Sequence, residues 1–109
     1  MEKKELGKIT NVSFGRGGYQ DAMLGINFSL EGSGWGVCDY WGFWEGDPDK
    51  YHEWTLGDQT KYWGEMVRKI GKLLADAKRS DVSSLAGVPI EVTFNGVTLQ
   101  SWRILTEVL

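Results

Sequence analysis

One segment constrains the fold more than any other: Gly34-Trp35-Gly36-Val37-Cys38-Asp39-Tyr40-Trp41-Gly42-Phe43-Trp44. Read as a strand, it sends Trp35, Val37, Asp39, Trp41 and Phe43 to one face. Gly36, Cys38, Tyr40, Gly42 and Trp44 then point to the other, because successive strand side chains alternate. Large rings thus project on both sides of a sheet that has one interior to bury them in. Glycine within a strand weakens it and marks a bulge or a close approach by another group. The chain holds fifteen glycines and six tryptophans in 109 residues, so the pairing of the two is its unusual feature.

The flanking segments read as an α+β order. Lys8–Phe14 is β-branched and bounded by glycine, a first strand that Gly15-Arg16-Gly17-Gly18 is expected to break. In the second strand Ala22, Leu24, Ile26, Phe28 and Leu30 alternate with Met23, Gly25, Asn27 and Ser29. Glu31-Gly32-Ser33-Gly34 is a hairpin-length link to the aromatic strand. After the acidic loop Glu45-Gly46-Asp47-Pro48-Asp49, Thr55 and Asp58 have capping-box spacing, and a helix is expected over Leu56–Arg79. Its apolar stripe is Trp63, Met66, Val67, Ile70, Leu73, Leu74 and Ala77. Lys78 and Arg79 close it, where cations complement the dipole.

Gly64 and Gly71 each weaken that helix by ~1 kcal/mol against alanine; close packing on the sheet or on another chain is the expected reason. Val88, Ile90, Val92 and Phe94 form a fourth strand, and Asn95-Gly96 is a strong hairpin signal. The fifth strand, Val97–Leu105, changes parity midway, which calls for a β-bulge near Gln100-Ser101. The order is β-β-β-α-β-β over a single domain, residues 1–109. Two architectures fit it: a curved antiparallel sheet on one long helix, or a small barrel of OB type.

Composition narrows the function. A net charge of −3 and three net negative charges between Glu45 and Glu53 tell against tracking a long nucleic-acid backbone, which needs a positive groove. Lys61, Arg68, Lys69, Lys72, Lys78 and Arg79 read as a solvated helix face. The lone Cys38 excludes an internal disulfide and any multi-cysteine zinc site. Asp47, Asp49, His52 and Glu53 lack the spacing of a hard-ion loop. Met1–Glu5 lacks the apolar core of a secretory signal, and no segment approaches the ~20 apolar residues of a membrane span. The expected location is the cytoplasm. No nucleophile elbow, P-loop or dinucleotide fingerprint is present, so binding without catalysis, metal or cofactor is the class favoured.

Two regions carry the binding candidates. Arg16, Tyr19, Gln20 and Asp21 are recognition-type side chains beside a glycine turn, whose amides could form an anion-binding nest. Trp35, Asp39, Tyr40, Trp41 and Trp44 lie in the aromatic strand; at least half of the rings there are expected in the core, with the surplus lining a pocket or an interface. Tyr51 and Trp54 follow just beyond.

Gly17-Gly18-Tyr19-Gln20-Asp21-Ala22-Met23-Leu24-Gly25, Gly34-Trp35-Gly36-Val37 and Ser101-Trp102-Arg103-Ile104-Leu105-Thr106-Glu107-Val108-Leu109 resemble a family of small phage and prophage proteins, over most of the chain from Lys8 onward. The resemblance implies a phage accessory role. Two expectations follow. The first is a counter-defence binder that blocks a host immune protein or sequesters a nucleotide-like signal, with Arg16 on phosphate and Tyr40 or Trp41 on the base. The second is an OB-like single-strand-binding accessory of replication or recombination. The short chain and its sheet edges also lead us to expect a homodimer.

Overall fold

The computed structural model describes residues 2–17, 23–44 and 56–109. Five antiparallel strands, β1 (Glu2–Gly17), β2 (Met23–Gly32), β3 (Trp35–Trp44), β4 (Pro89–Asn95) and β5 (Thr98–Ile104), form one sheet in the order β3-β2-β1-β4-β5. It curls into a half-barrel, and α1 (Leu56–Ala77) packs on its inner side. The β-β-β-α-β-β order and the curved sheet are those expected of the sequence.

β1 is longer than its apolar core suggests. Its first half, Glu2–Lys8, pairs with β4, and Gly7–Gly17 pairs with β2. The polar start Glu2-Lys3-Lys4-Glu5 is strand because β4 supplies a backbone partner, which local propensity cannot register. Between the halves Thr10 is an extra residue: Ile9 faces Leu30 and Asn11 faces Ser29. Such a bulge bends and twists a strand, and it turns β1 from one half of the sheet to the other. The Thr10 hydroxyl donates to the Ser29 carbonyl at 3.2 Å, which anchors the bend. The other bulge lies where parity required it, since Thr93 faces Ser101 and Phe94 faces Leu99, leaving Gln100 over.

Ile9, Ile26, Phe28, Leu30, Val88, Ile90 and Val92 are fully buried, together with Leu85 from a 3-10 turn at Val82–Leu85. Each such side chain stabilises the fold by roughly 1.5–3 kcal/mol. Met66, Leu73 and Ala77 bring α1 onto this core. Val67, counted in the helix stripe, is instead 63% exposed, and Gln59 is buried. The helix ends at Ala77, two residues early. Lys78 takes a left-handed φ of 57°, and the Arg79 amide donates to the Leu74 carbonyl at 3.0 Å, a Schellman-type stop. Thr55 lies outside the described residues.

Among the described residues, close packing does not explain the helix glycines. A Cβ on Gly71 would meet nothing within 4 Å, and one on Gly64 would meet only Arg68 of its own helix.

β3 and β5 are the sheet's two edges, and side chains join them. The Trp41 indole N–H donates to Asp39 Oδ2 at 2.8 Å, and the Trp102 indole N–H donates to the same oxygen at 2.7 Å. The two indoles stack with centroids 5.8 Å apart, and Phe28 packs against both.

Two outcomes are expected in urea unfolding. Asp39→Ala leaves both indole donors without their acceptor and lowers stability by roughly 2–4 kcal/mol, with Asp39→Asn milder because one carbonyl oxygen remains. Gly71→Ala raises stability by ~0.5–1 kcal/mol, since helix propensity improves and no neighbour is displaced.

Candidate functional site

The aromatic strand divides as its alternation requires. Trp35, Val37 and Trp41 pack against the core. Asp39 sits between the two indoles it bridges. Three of the candidate residues, Trp35, Asp39 and Trp41, therefore hold the interior. Trp35 lies across Gly7 and Gly32, where any Cβ would strike its ring, and meets Phe94 edge-on at 5.2 Å. Trp41 carries the Lys69 ammonium over its ring at 4.2 Å, a cation–π contact.

Tyr40 goes the other way, onto the outer face. Glycines from three strands align there, with Gly15 paired to Gly25 and Gly25 paired to Gly42. A Cβ on Gly42 would lie 2.7 Å from Tyr40 Cε1, and one on Gly17 would lie 4.0 Å from its hydroxyl. The ring thus runs from β3 across β2 to β1. A Cβ on Gly25 would strike the Trp41 carbonyl and Gly42 backbone, so glycine permits the close approach of β2 and β3. Above Gly15 the space is open among the described residues.

Tyr40, Ser13, Asn27 and Arg16 line the resulting trench, about 430 Å³ in volume, over the glycines. The Tyr40 hydroxyl is buried and has no hydrogen-bond partner among the described residues. Burial raises its pKa above the ordinary phenol value, which keeps it protonated and a donor at neutral pH. A buried unpaired hydroxyl is costly and asks for an explanation, commonly a water or ligand that completes it. Ser13 and Asn27 add a hydroxyl and an amide on the same face. The trench offers donors and acceptors above a floor with almost no side chains, a geometry suited to a flat, polar ligand.

A second cavity of about 210 Å³ lies between β3 and the first half of α1. Tyr40 and Trp41 line it from the strand, and Tyr62, Trp63, Glu65 and Lys69 from the helix. Trp63 Nε1 is likewise buried without a partner among the described residues.

The glycine turn differs from its expected form. Gly15, Arg16 and Gly17 are strand, paired with Gly25, Leu24 and Met23. Neither glycine has the positive φ that an anion nest requires; among the described residues Gly34, Gly87 and Gly96 do. Arg16 remains on the trench. Gly18, Tyr19, Gln20 and Asp21 lie outside the described residues, as do the acidic loop, Tyr51, His52 and Trp54. The Trp44 backbone pairs opposite Met23, and its side chain also lies outside the description. Ser13, Asn27, Trp63, Glu65 and Lys69 were not singled out from sequence as site residues. Asn27 and Gly25 were legible as the open face of β2, but their partners appear only once the register is known.

Tyr40→Phe keeps the ring and removes the unpaired hydroxyl. In the ligand-free protein we expect it to raise stability by about 1 kcal/mol, read as a melting temperature some 4–8 °C higher. An unchanged or lower melting temperature would mean that the hydroxyl is already satisfied.

Among the described residues no helix is long and apolar enough to cross a membrane. The chain matches no family model, no curated protein and no solved structure.

Proposed function

We propose that the protein is a non-catalytic, phage-type binding protein that takes a nucleotide-like small molecule in the trench over β1–β3, as a counter-defence factor sequestering an immune signal. The observation that carries this reading is the buried, unpartnered Tyr40 hydroxyl beside a row of glycines. A ligand that completes the hydroxyl's hydrogen bond offsets the penalty of burying it. The glycines let a planar group approach the backbone closely, and Arg16 of β1 lies at the trench's edge. The counter-defence role rests on the resemblance to small phage proteins.

A second reading is favoured by the strand order. An OB-type barrel presents the equivalent face to single-stranded nucleic acid, which makes an accessory of phage replication the alternative. The net charge of −3 weighs toward the small ligand, because a polymer's affinity depends on a positive groove.

Calorimetry separates the two. A panel of cyclic dinucleotides, ADP-ribose-derived nucleotides and short single-stranded oligonucleotides is titrated at low salt. The expected result is saturable heat with a mononucleotide or dinucleotide, weakened about fivefold or more by Asn27→Ala, the loss of one hydrogen bond. Binding of oligonucleotides alone, falling steeply with salt, transfers the assignment to the second reading. Absence of heat across the panel removes both.

A further inference from the structure

The outer face of β1–β3 carries a second row beside the glycines. Ile26, Phe28 and Leu30 are fully buried on the inner side, so strand alternation turns Gly25, Asn27 and Ser29 outward. The register sets Ser13 opposite Asn27, and Asn27 opposite Tyr40. These side chains form one row across three strands, next to Gly15, Gly25 and Gly42, and all of them line the trench. With strands ~4.8 Å apart, a hydroxyl, an amide and an aromatic ring follow one another. Ser13 and Asn27 make no side-chain hydrogen bond among the described residues. Each can donate and accept, and each is at least partly open to solvent.

No charge stands in this part of the face. On β1 from Asn11 to Gly17, on β2 from Gly25 to Ser29 and on β3 from Cys38 to Gly42, every outward position is Asn, Ser, Gly, Cys or Tyr. Charged residues begin beyond Ser29, where Lys8 faces Glu31 and the two signs meet. Arg16 does not supply the missing charge. It pairs with Leu24 and shares the parity of Val12, which packs on the core, so its side chain leaves β1 on the face opposite to Ser13, Gly15 and Gly17.

A phosphate is held by guanidinium, ammonium or convergent backbone amides. Gly15 and Gly17 lack the positive φ of an amide nest, and the outward face presents no cation among the described residues over the trench. Sugar hydroxyls and nucleobase edges are neutral groups that donate and accept, as Ser13 and Asn27 do. The open floor at Gly15 admits a flat ring against the backbone. The trench volume, about 430 Å³, falls within the ~300–1,000 Å³ of small-molecule pockets.

We infer that the trench recognises the nucleoside part of its ligand, base and sugar, through neutral hydrogen bonds from Ser13 and Asn27, and that the phosphate stays in solvent. This rests on the reading of the ligand as nucleotide-like and deepens it by naming the moiety that is read.

The test is calorimetry of the intact protein with adenosine, guanosine, cytidine and uridine, with their monophosphates, and with inorganic phosphate, at roughly 50 and 500 mM salt. At least one nucleoside is expected to bind within about threefold of its own monophosphate, because a charge left in solvent adds little. Its affinity should change by less than about twofold between the two salt levels, and inorganic phosphate should give no heat. Asn27→Ala should weaken nucleoside and monophosphate by the same factor, about fivefold. Ser13→Ala, at an exposed position, should also weaken the two equally. A nucleotide that binds about tenfold or more tightly than its nucleoside, or binding that falls steeply with salt, overturns the inference and leaves the nucleotide-like reading in place. Nucleoside binding indifferent to both substitutions overturns it as well. If no nucleoside, no monophosphate and no member of the wider panel binds, the nucleotide-like reading falls and the inference falls with it.

Discussion

The half-barrel depends on one carboxylate oxygen. Asp39 Oδ2 accepts from indoles on both open edges of the sheet, its own strand's Trp41 and Trp102 of β5. No backbone ladder joins β3 to β5, so this shared acceptor and the stacked rings take the place of one. Both donors are indole N–H groups, which can only donate, and burying them without an acceptor is unfavourable. The anion gains two charge-assisted bonds at once. Phe28 beneath the two rings ties the junction to the core.

Glycine and aromatic residues are enriched together because each makes the other possible. Trp35 lies across Gly7 and Gly32 on the inner face; Tyr40 lies from Gly42 toward Gly17 on the outer one. In both cases a large ring is laid flat on a stretch of sheet with no side chains of its own. The glycines leave backbone exposed, and the rings cover it. A ring held this way touches backbone rather than mobile side chains, so its position is fixed by the pleat. That rigidity gives the Tyr40 wall of the trench a defined shape, and among the described residues the floor beside it is open over Gly15.

Much of this was legible from residue order. The alternation of β3 separated Trp35, Asp39 and Trp41 from Tyr40 because strand periodicity is strict, and the parity change in β5 located its bulge at Gln100. Other features depend on partners distant in sequence. Glu2–Glu5 has no apolar signature and is strand because β4 pairs with it. Gly15-Arg16-Gly17 looks like a turn until Met23–Gly25 lies opposite. The glycine row exists only as a register, since Gly15, Gly25 and Gly42 share no local motif. Trp63 appeared as helix core, and its unpaired N–H is a property of packing that spacing does not encode.

The bulge at Thr10 has a consequence for the order of folding events. It makes β1 the strand shared by two different neighbourhoods. Its second half meets β2 through a short connection, and β2 meets β3 through a two-residue turn. Its first half pairs with β4, which joins opposite ends of the chain. Loop-closure entropy makes the meander cheap to assemble and the β1–β4 ladder slow. The chain therefore builds β1–β3 from local contacts. The seam that encloses them waits for its two ends to meet.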